Sequence, residues 1–166
     1  PVTMYPASFA QQKNMTDYDM SSGVGRTYKY YTGKPLYPFG FGLSLTTFEL
    51  NQCECDSKTF PLKVTCVLEN TGSMDGDEVI QVYHSAGDDI RAKIKGVHPA
   101  PIRSLVDFQR ITVPSGQKSS LVFTIEEQSA SMVNEKGERV MYSGTHHFIF
   151  STGVVENGMR VTVNVA

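Results

Sequence analysis

From Thr46 to the C-terminus, apolar and polar residues alternate in short runs separated by turn signals, the pattern of an all-β sandwich rather than of helices. Leu62, Val64, Cys66 and Leu68 alternate with Lys63, Thr65, Val67 and Glu69. A period of two puts the first set on a buried strand face, with Cys66 pointing inward. Asn70-Thr71-Gly72-Ser73 and Asp75-Gly76-Asp77 supply turn chemistry before Glu78 to His84 resumes as a strand. Residues 85 to 101 hold three prolines or glycines after Gly87 and read as the longest loop, with a short element near Ile90 to Ile94. Arg103 to Val113 is the next strand, and Pro114-Ser115-Gly116-Gln117 the hairpin turn after it. Leu121, Phe123 and Ile125 form a further inward row. Asn134 to Glu138 is a polar turn, His146, Phe148 and Phe150 belong to a later strand, and Val161, Val163 and Val165 close the chain. The turn signals mark out about seven strands, the number expected of an immunoglobulin-like sandwich.

The first 45 residues behave differently. Residues 1 to 24 sustain neither period, and read as polar, irregular chain that is partly mobile or folded back on the sandwich. Residues 25 to 48, GRTYKYYTGKPLYPFGFGLSLTTF, then concentrate aromatic rings among glycines and prolines. Gly33, Pro35, Pro38, Gly40 and Gly42 prevent a regular helix, so this stretch reads as an ordered, irregular connector. Its rings Tyr28, Tyr30, Tyr31, Tyr37, Phe39 and Phe41 are the candidate patch for a domain interface or a partner. The division expected is a connector over residues 1–45 and a sandwich over residues 46–166.

At 166 residues the chain fits one domain with an extension. A net charge of −2, with 19% charged residues, provides no field favouring nucleic acid or an anionic membrane, and no apolar run is long enough to cross a bilayer. The chain starts at Pro1 without an initiator Met, and Pro1 to Phe9 reads as the middle of a folded domain, so it is taken as a fragment or processed piece of a longer precursor.

Chemistry-bearing residues are present but scattered. Hydrolysis of a glycoside needs two carboxyl groups roughly 5 Å apart or more on opposite sides of one bond. Asp75, Asp77 and Glu78 share a turn, Asp88 and Asp89 share a loop, and Glu126 and Glu127 are strand neighbours that face opposite ways. Each cluster reads as solvated turn charge. His84, His98, His146 and His147 read as edge or surface histidines, because the last two are neighbours on a strand and the others lie at a strand end and in a loop. No catalytic, cofactor or metal site is expected. Cys53, Cys55 and Cys66 leave one thiol over, and a disulfide of Cys66 with either Cys53 or Cys55 would staple the first strand to the second. Asn14-Met15-Thr16 is an N-glycosylation acceptor, meaningful if the chain is secreted.

The connector and the strings ENTGSMDGDEVIQVY and RSLVDFQRITV together resemble the C-terminal region of glycoside hydrolase family 3 enzymes, where a connector leads from a second, α/β domain into a fibronectin type III-like sandwich. PVTMYP, MTDYDM and GRTYKYY are similar to the β-xylosidase branch more than to the β-glucosidase branch. Leu45 departs from the family, which commonly has an aromatic residue there. The resemblance implies a secreted, retaining, exo-acting parent β-glycosidase whose catalytic aspartate and glutamate lie in domains that this chain does not match. Its expected partners are then the catalytic domains of the same or a sister polypeptide. A free-standing secreted sandwich that binds carbohydrate or a protein without catalysis is the alternative, and a small enzyme in its own right is a third reading against which the carboxylate pattern speaks.

Overall fold

A computed structural model describes residues 2–166; Pro1, with which the expected fragment opens, lies outside the described residues. Two antiparallel sheets pack face to face. The first is β1 (Phe48–Cys55), β2 (Leu62–Asn70) and β5 (Lys118–Ile125), in the order β1-β2-β5; the second is β3 (Gly76–Ala86), β4 (Ser104–Val113), β8 (Gly144–Ser151) and β9 (Met159–Val165), in the order β4-β3-β8-β9. The two-residue strands β6 (Met132–Val133) and β7 (Arg139–Val140) flank the polar turn at Asn134 to Glu138. This is the antiparallel sandwich that the alternation implies, in the fibronectin type III-like form that the resemblance implies.

The core lies where the inward rows meet. Leu62, Val64, Cys66, Leu68, Leu121, Phe123 and Ile125 from the first sheet pack on Ile80, Val82, Phe148, Phe150, Val161 and Val163 from the second. Phe123 and Phe150 meet edge to face across the layers, 5.5 Å between centroids. Val165 remains half-exposed, because the closing strand leaves the sandwich at its end. Cys53 and Cys66 are register partners on β1 and β2 and are joined by a disulfide, which leaves Cys55 as the free thiol.

Strand β3 is covered on both faces, which explains its nearly unbroken apolar run Val79 to Tyr83. Ile80 and Val82 face the core, whereas Tyr83 faces outward with Ile149 and Val155 in a second cluster. A bulge between Val82 and Tyr83 sets Asp107 and then Leu105 opposite β3, so Leu105 joins that outer cluster. The short element in the long loop is a two-turn helix (Asp88–Ile94), whose Ile90 and Ile94 pack on Ala86 and Met132.

The buried Asn70 ends β2 and ties three segments together. Its amide donates to the carbonyls of Met74 (2.7 Å) and Val113 (2.8 Å) and accepts from Gly72 N (3.1 Å) and Thr46 Oγ1 (2.8 Å). Gly72 has to be glycine, since a Cβ there would collide with Thr46 Oγ1 and Thr47 N.

Candidate functional site

The connector rests on the outer face of the four-stranded sheet through Tyr28 and Phe39, and seven aromatic side chains of residues 2–47 fall into three groups. Tyr28 and Phe39 stack on each other, 4.2 Å between centroids, and both turn edges toward Tyr83. The Tyr28 hydroxyl accepts Leu105 N–H at 3.2 Å, which fixes the connector against β4. Tyr83 in turn donates to Gln81 Oε1 at 2.7 Å, and burial pushes its hydroxyl up to about 12 despite the opposing pull of Arg103.

The second group is internal to the N-terminal segment. Tyr5 and Phe9, the latter on the one-turn helix α1 (Phe9–Gln12), stack 4.0 Å apart, and Tyr31 meets both edge-on. Tyr31 is largely buried there, with an edge that reaches the groove lined by Tyr37 and Phe39. Residues 2 to 24 are also ordered around a polar centre. Lys13 is buried, with its ammonium donating to the Asp19 carbonyl (2.8 Å), the Ser22 carbonyl (3.0 Å), Asp17 (2.9 Å) and the Ser22 hydroxyl. The Ser22 hydroxyl, then the Lys13 ammonium, hold the Asp17 carboxyl well below the usual carboxylate range. A lysine in a polar run gives no sign in sequence that its ammonium will become the centre of a loop.

The third group faces outward. Tyr37 and Phe41, 51% and 40% exposed, lie 5.1 Å apart, and Leu36, Leu43 and Leu45 beside them are more exposed still. The sequence reading had not included these leucines; their signal is three large apolar residues in a segment without a strand period. Phe108 on β4 is 64% exposed and lines a smaller cavity with Leu43. Tyr37, Phe39 and Phe41 line a groove of about 780 Å³ together with Arg103 and Glu156. Tyr30 looks instead into a polar cleft beside Lys29, Ser104 and Gln128, and burial raises its hydroxyl.

The histidines correct a second expectation. His84 and His146 are buried at one end of the core, on the inward faces of adjacent strands, with His84 Nε2 and His146 Nδ1 2.9 Å apart. The Tyr142 carbonyl can only accept, so His146 Nε2 donates to it at 2.8 Å and His146 Nδ1 accepts the proton of His84 Nε2. Desolvation, with His146 and Arg91 nearby, lowers His84 to about 3. These two are core residues rather than edge or surface ones. His98, half-buried against the Tyr142 hydroxyl, and His147 lie elsewhere.

The carboxylates stay apart. Asp77 is held by Arg110 and Thr112, Asp89 accepts Thr145 N–H at 2.9 Å, and Glu126 and Glu127 are exposed. Among the described residues no three His, Cys, Asp or Glu side chains gather at metal-binding distance. Asn14 is exposed, and its Oδ1 accepts from both the amide (3.0 Å) and the hydroxyl (2.9 Å) of Thr16. No helix among the described residues is long and apolar enough to cross a membrane.

A profile of the fibronectin type III-like domain matches residues 78–153, so the class that the sandwich defines is the one its sequence carries. Relatives extend the match to the connector. The exo-1,4-β-xylosidase xlnD of Aspergillus awamori is 29% identical over 97% of this chain and 22% of its own length. The probable exo-1,4-β-xylosidase bxlB of Aspergillus flavus is 31% identical over 92% of this chain and 22% of its own length. Among solved structures, a GH3 exo-β-xylosidase (XlnD) shares the fold over 99% of this chain and 24% of that one, with a TM-score of 0.79 at 24% identity. The β-glucosidase of Listeria innocua covers 80% of this chain, and 18% of its own is covered, with a TM-score of 0.67 at 26% identity. The chain is homologous to the C-terminal region of glycoside hydrolase family 3 β-xylosidases. It spans about a fifth of the length of these curated relatives.

Proposed function

We propose that this chain is the non-catalytic C-terminal module of a secreted family 3 β-xylosidase, in which residues 1–45 connect to the catalytic part and residues 46–166 stabilise or position it. The observation that carries this reading is the outward group of the connector. Leu36, Tyr37, Phe41, Leu43 and Leu45 are all exposed within ten residues of chain, whereas Tyr28 and Phe39 are turned onto the sandwich and Tyr31 onto Tyr5 and Phe9. A contiguous apolar surface of this kind is costly in water and is suited to burial against another folded unit. The homology to enzymes about four-fifths of whose length lies outside this match supports the catalytic part of the same polypeptide as that unit. The disulfide and the exposed Asn14 acceptor triplet both suit an oxidising, secretory compartment.

The native polypeptide, isolated from its source, tests the reading. Its mass is expected to be several times the 18.4 kDa of this chain, and it should release sugar from an aryl β-xyloside, while the 166-residue chain alone does not. The double substitution Tyr37→Ala, Phe41→Ala is expected to lower the melting temperature of the intact polypeptide by several degrees and to leave that of the isolated chain nearly unchanged. A native mass near 18.4 kDa, or turnover by the isolated chain, would defeat the proposal.

A further inference from the structure

Thr3, whose buried Oγ1 lacks a partner, is the neutral residue of the groove whose chemistry is incomplete; Arg103 is the charged one. Its side chain is only 17% exposed, its Nε is buried without a hydrogen-bond acceptor, and its nearest carboxylate, Glu156, stands 3.7 Å away on a side chain that is 68% exposed. The guanidinium lies over the Tyr83 ring, 5.8 Å from the centroid, so one of its faces is committed to the sandwich. A largely buried cation with an unpaired Nε–H is costly, and a loosely held, solvated carboxylate offsets little of that cost. Lys34 adds a second cation to the lining, leaving Glu156 as its lone carboxylate.

We propose that Arg103 is the electrostatic anchor of the interface, and that the groove receives a peptide segment of the catalytic part whose Asp or Glu carboxylate pairs with the Arg103 guanidinium. This rests on the reading of the chain as a module of a longer enzyme. The chemistry of the walls selects a peptide over a sugar. Tyr28, Tyr37, Phe39 and Phe41 with Pro35, Leu36 and Val154 make the exposed lining mainly apolar, although Thr3 and Thr32 also reach the walls. Such a lining suits apolar side chains flanking the carboxylate better than the many hydroxyls of an acidic sugar. Closing the groove removes water from the pair, which strengthens the attraction, and the planar guanidinium can offer two parallel N–H groups to one carboxylate. Arg103 thereby positions the module, and it has no part in bond cleavage.

The test uses the native polypeptide carrying Arg103→Lys, treated with a carbodiimide, which joins an amine to an adjacent carboxylate. Peptide mapping is expected to find position 103 linked to an Asp or Glu outside residues 1–166. A link to Glu156 alone, or none, would overturn the proposal. In parallel, Arg103→Met should lower the melting temperature of the intact polypeptide by several degrees and leave the isolated chain within about one degree, with Arg103→Lys recovering part of the loss. An equal loss in the isolated chain would reduce Arg103 to a support for Tyr83 and sink the idea. So would Arg103-dependent binding of glucuronic acid to the isolated chain, since the groove would then be a sugar site. If Tyr37→Ala, Phe41→Ala loosens the intact polypeptide while Arg103→Met does not, the docking reading stands and the anchor falls; if neither does, both fall.

Discussion

His84 and His146 form a buried pair, and the environment of His84 makes stability depend on acidity. His84 has a folded-state value lowered to about 3, against about 6.5 when unfolded. Below pH 6.5 the unfolded chain takes up a proton that the folded chain refuses. The stabilisation is therefore complete above pH 6.5 and is lost progressively as pH falls from there toward 3. At pH 5 the loss from this group alone is roughly 2 kcal/mol. Denaturant midpoints of the isolated chain at pH 7 and pH 5 should differ accordingly, and His84→Gln should shrink that difference while lowering stability at pH 7. An unchanged pH dependence in the variant would show that the pair does not govern it. Lys13, in the N-terminal segment, is by contrast a cation enclosed by acceptors. Lys13→Met should leave the sandwich folded and expose residues 14–22 to limited proteolysis, because the carbonyls of Asp19 and Ser22 lose their donor.

Two devices act between elements. Asn70 joins the end of β2 to the turn before β3, to the last residue of β4 and to the connector at Thr46, with every polar atom of its amide engaged. Asn70→Ala strands the Val113 and Met74 carbonyls in a buried site, so a loss of about 1 to 3 kcal/mol is expected in denaturant unfolding. A value under a few tenths would mean that water replaces the side chain without penalty. The Cys53–Cys66 disulfide ties the edge strand β1 to β2 across a sequence separation of 13 residues. Cross-linking a loop of that size restricts the unfolded chain by about 3 kcal/mol. Reduction with a thiol should lower the melting temperature and speed hydrogen exchange first in β1, which has only β2 as a hydrogen-bonded neighbour.

At the scale of the molecule, the sandwich is complete on its inner faces and incomplete on its surface. Leu43 and Leu45 are about nine-tenths exposed, and Phe108 projects from the outer face of β4 beside the same stretch. The 166-residue chain by itself should therefore associate with increasing concentration. Sedimentation velocity is expected to show this, and the triple substitution Leu43→Ser, Leu45→Ser, Phe108→Ser to reduce it without changing the melting temperature. A wild-type chain that stays monomeric throughout would mean that these side chains find cover locally.

The sequence by itself determined the strands and their faces. Leu62 to Leu68 and Leu121 to Ile125 point inward because a pleated strand allows no other outcome for a two-residue alternation, and the glycine and proline clusters could only be turns. It also carried the family, through strings long enough to be distinctive, and the place of the short helix near Ile90. Tertiary structure alone decided which connector rings turn inward: Tyr28 and Phe39 have Tyr83 to pack on, Tyr31 has Tyr5 and Phe9, and Tyr37 and Phe41 have no such neighbour on the sandwich. The same holds for His84 and His146, 62 residues apart, and for Arg103 above Tyr83. Local periodicity tells a side chain which face of its strand to take. Which distant residue waits on that face is set by strand order, register and the bulge at Val82, and these follow from many weak contacts summed over the whole fold.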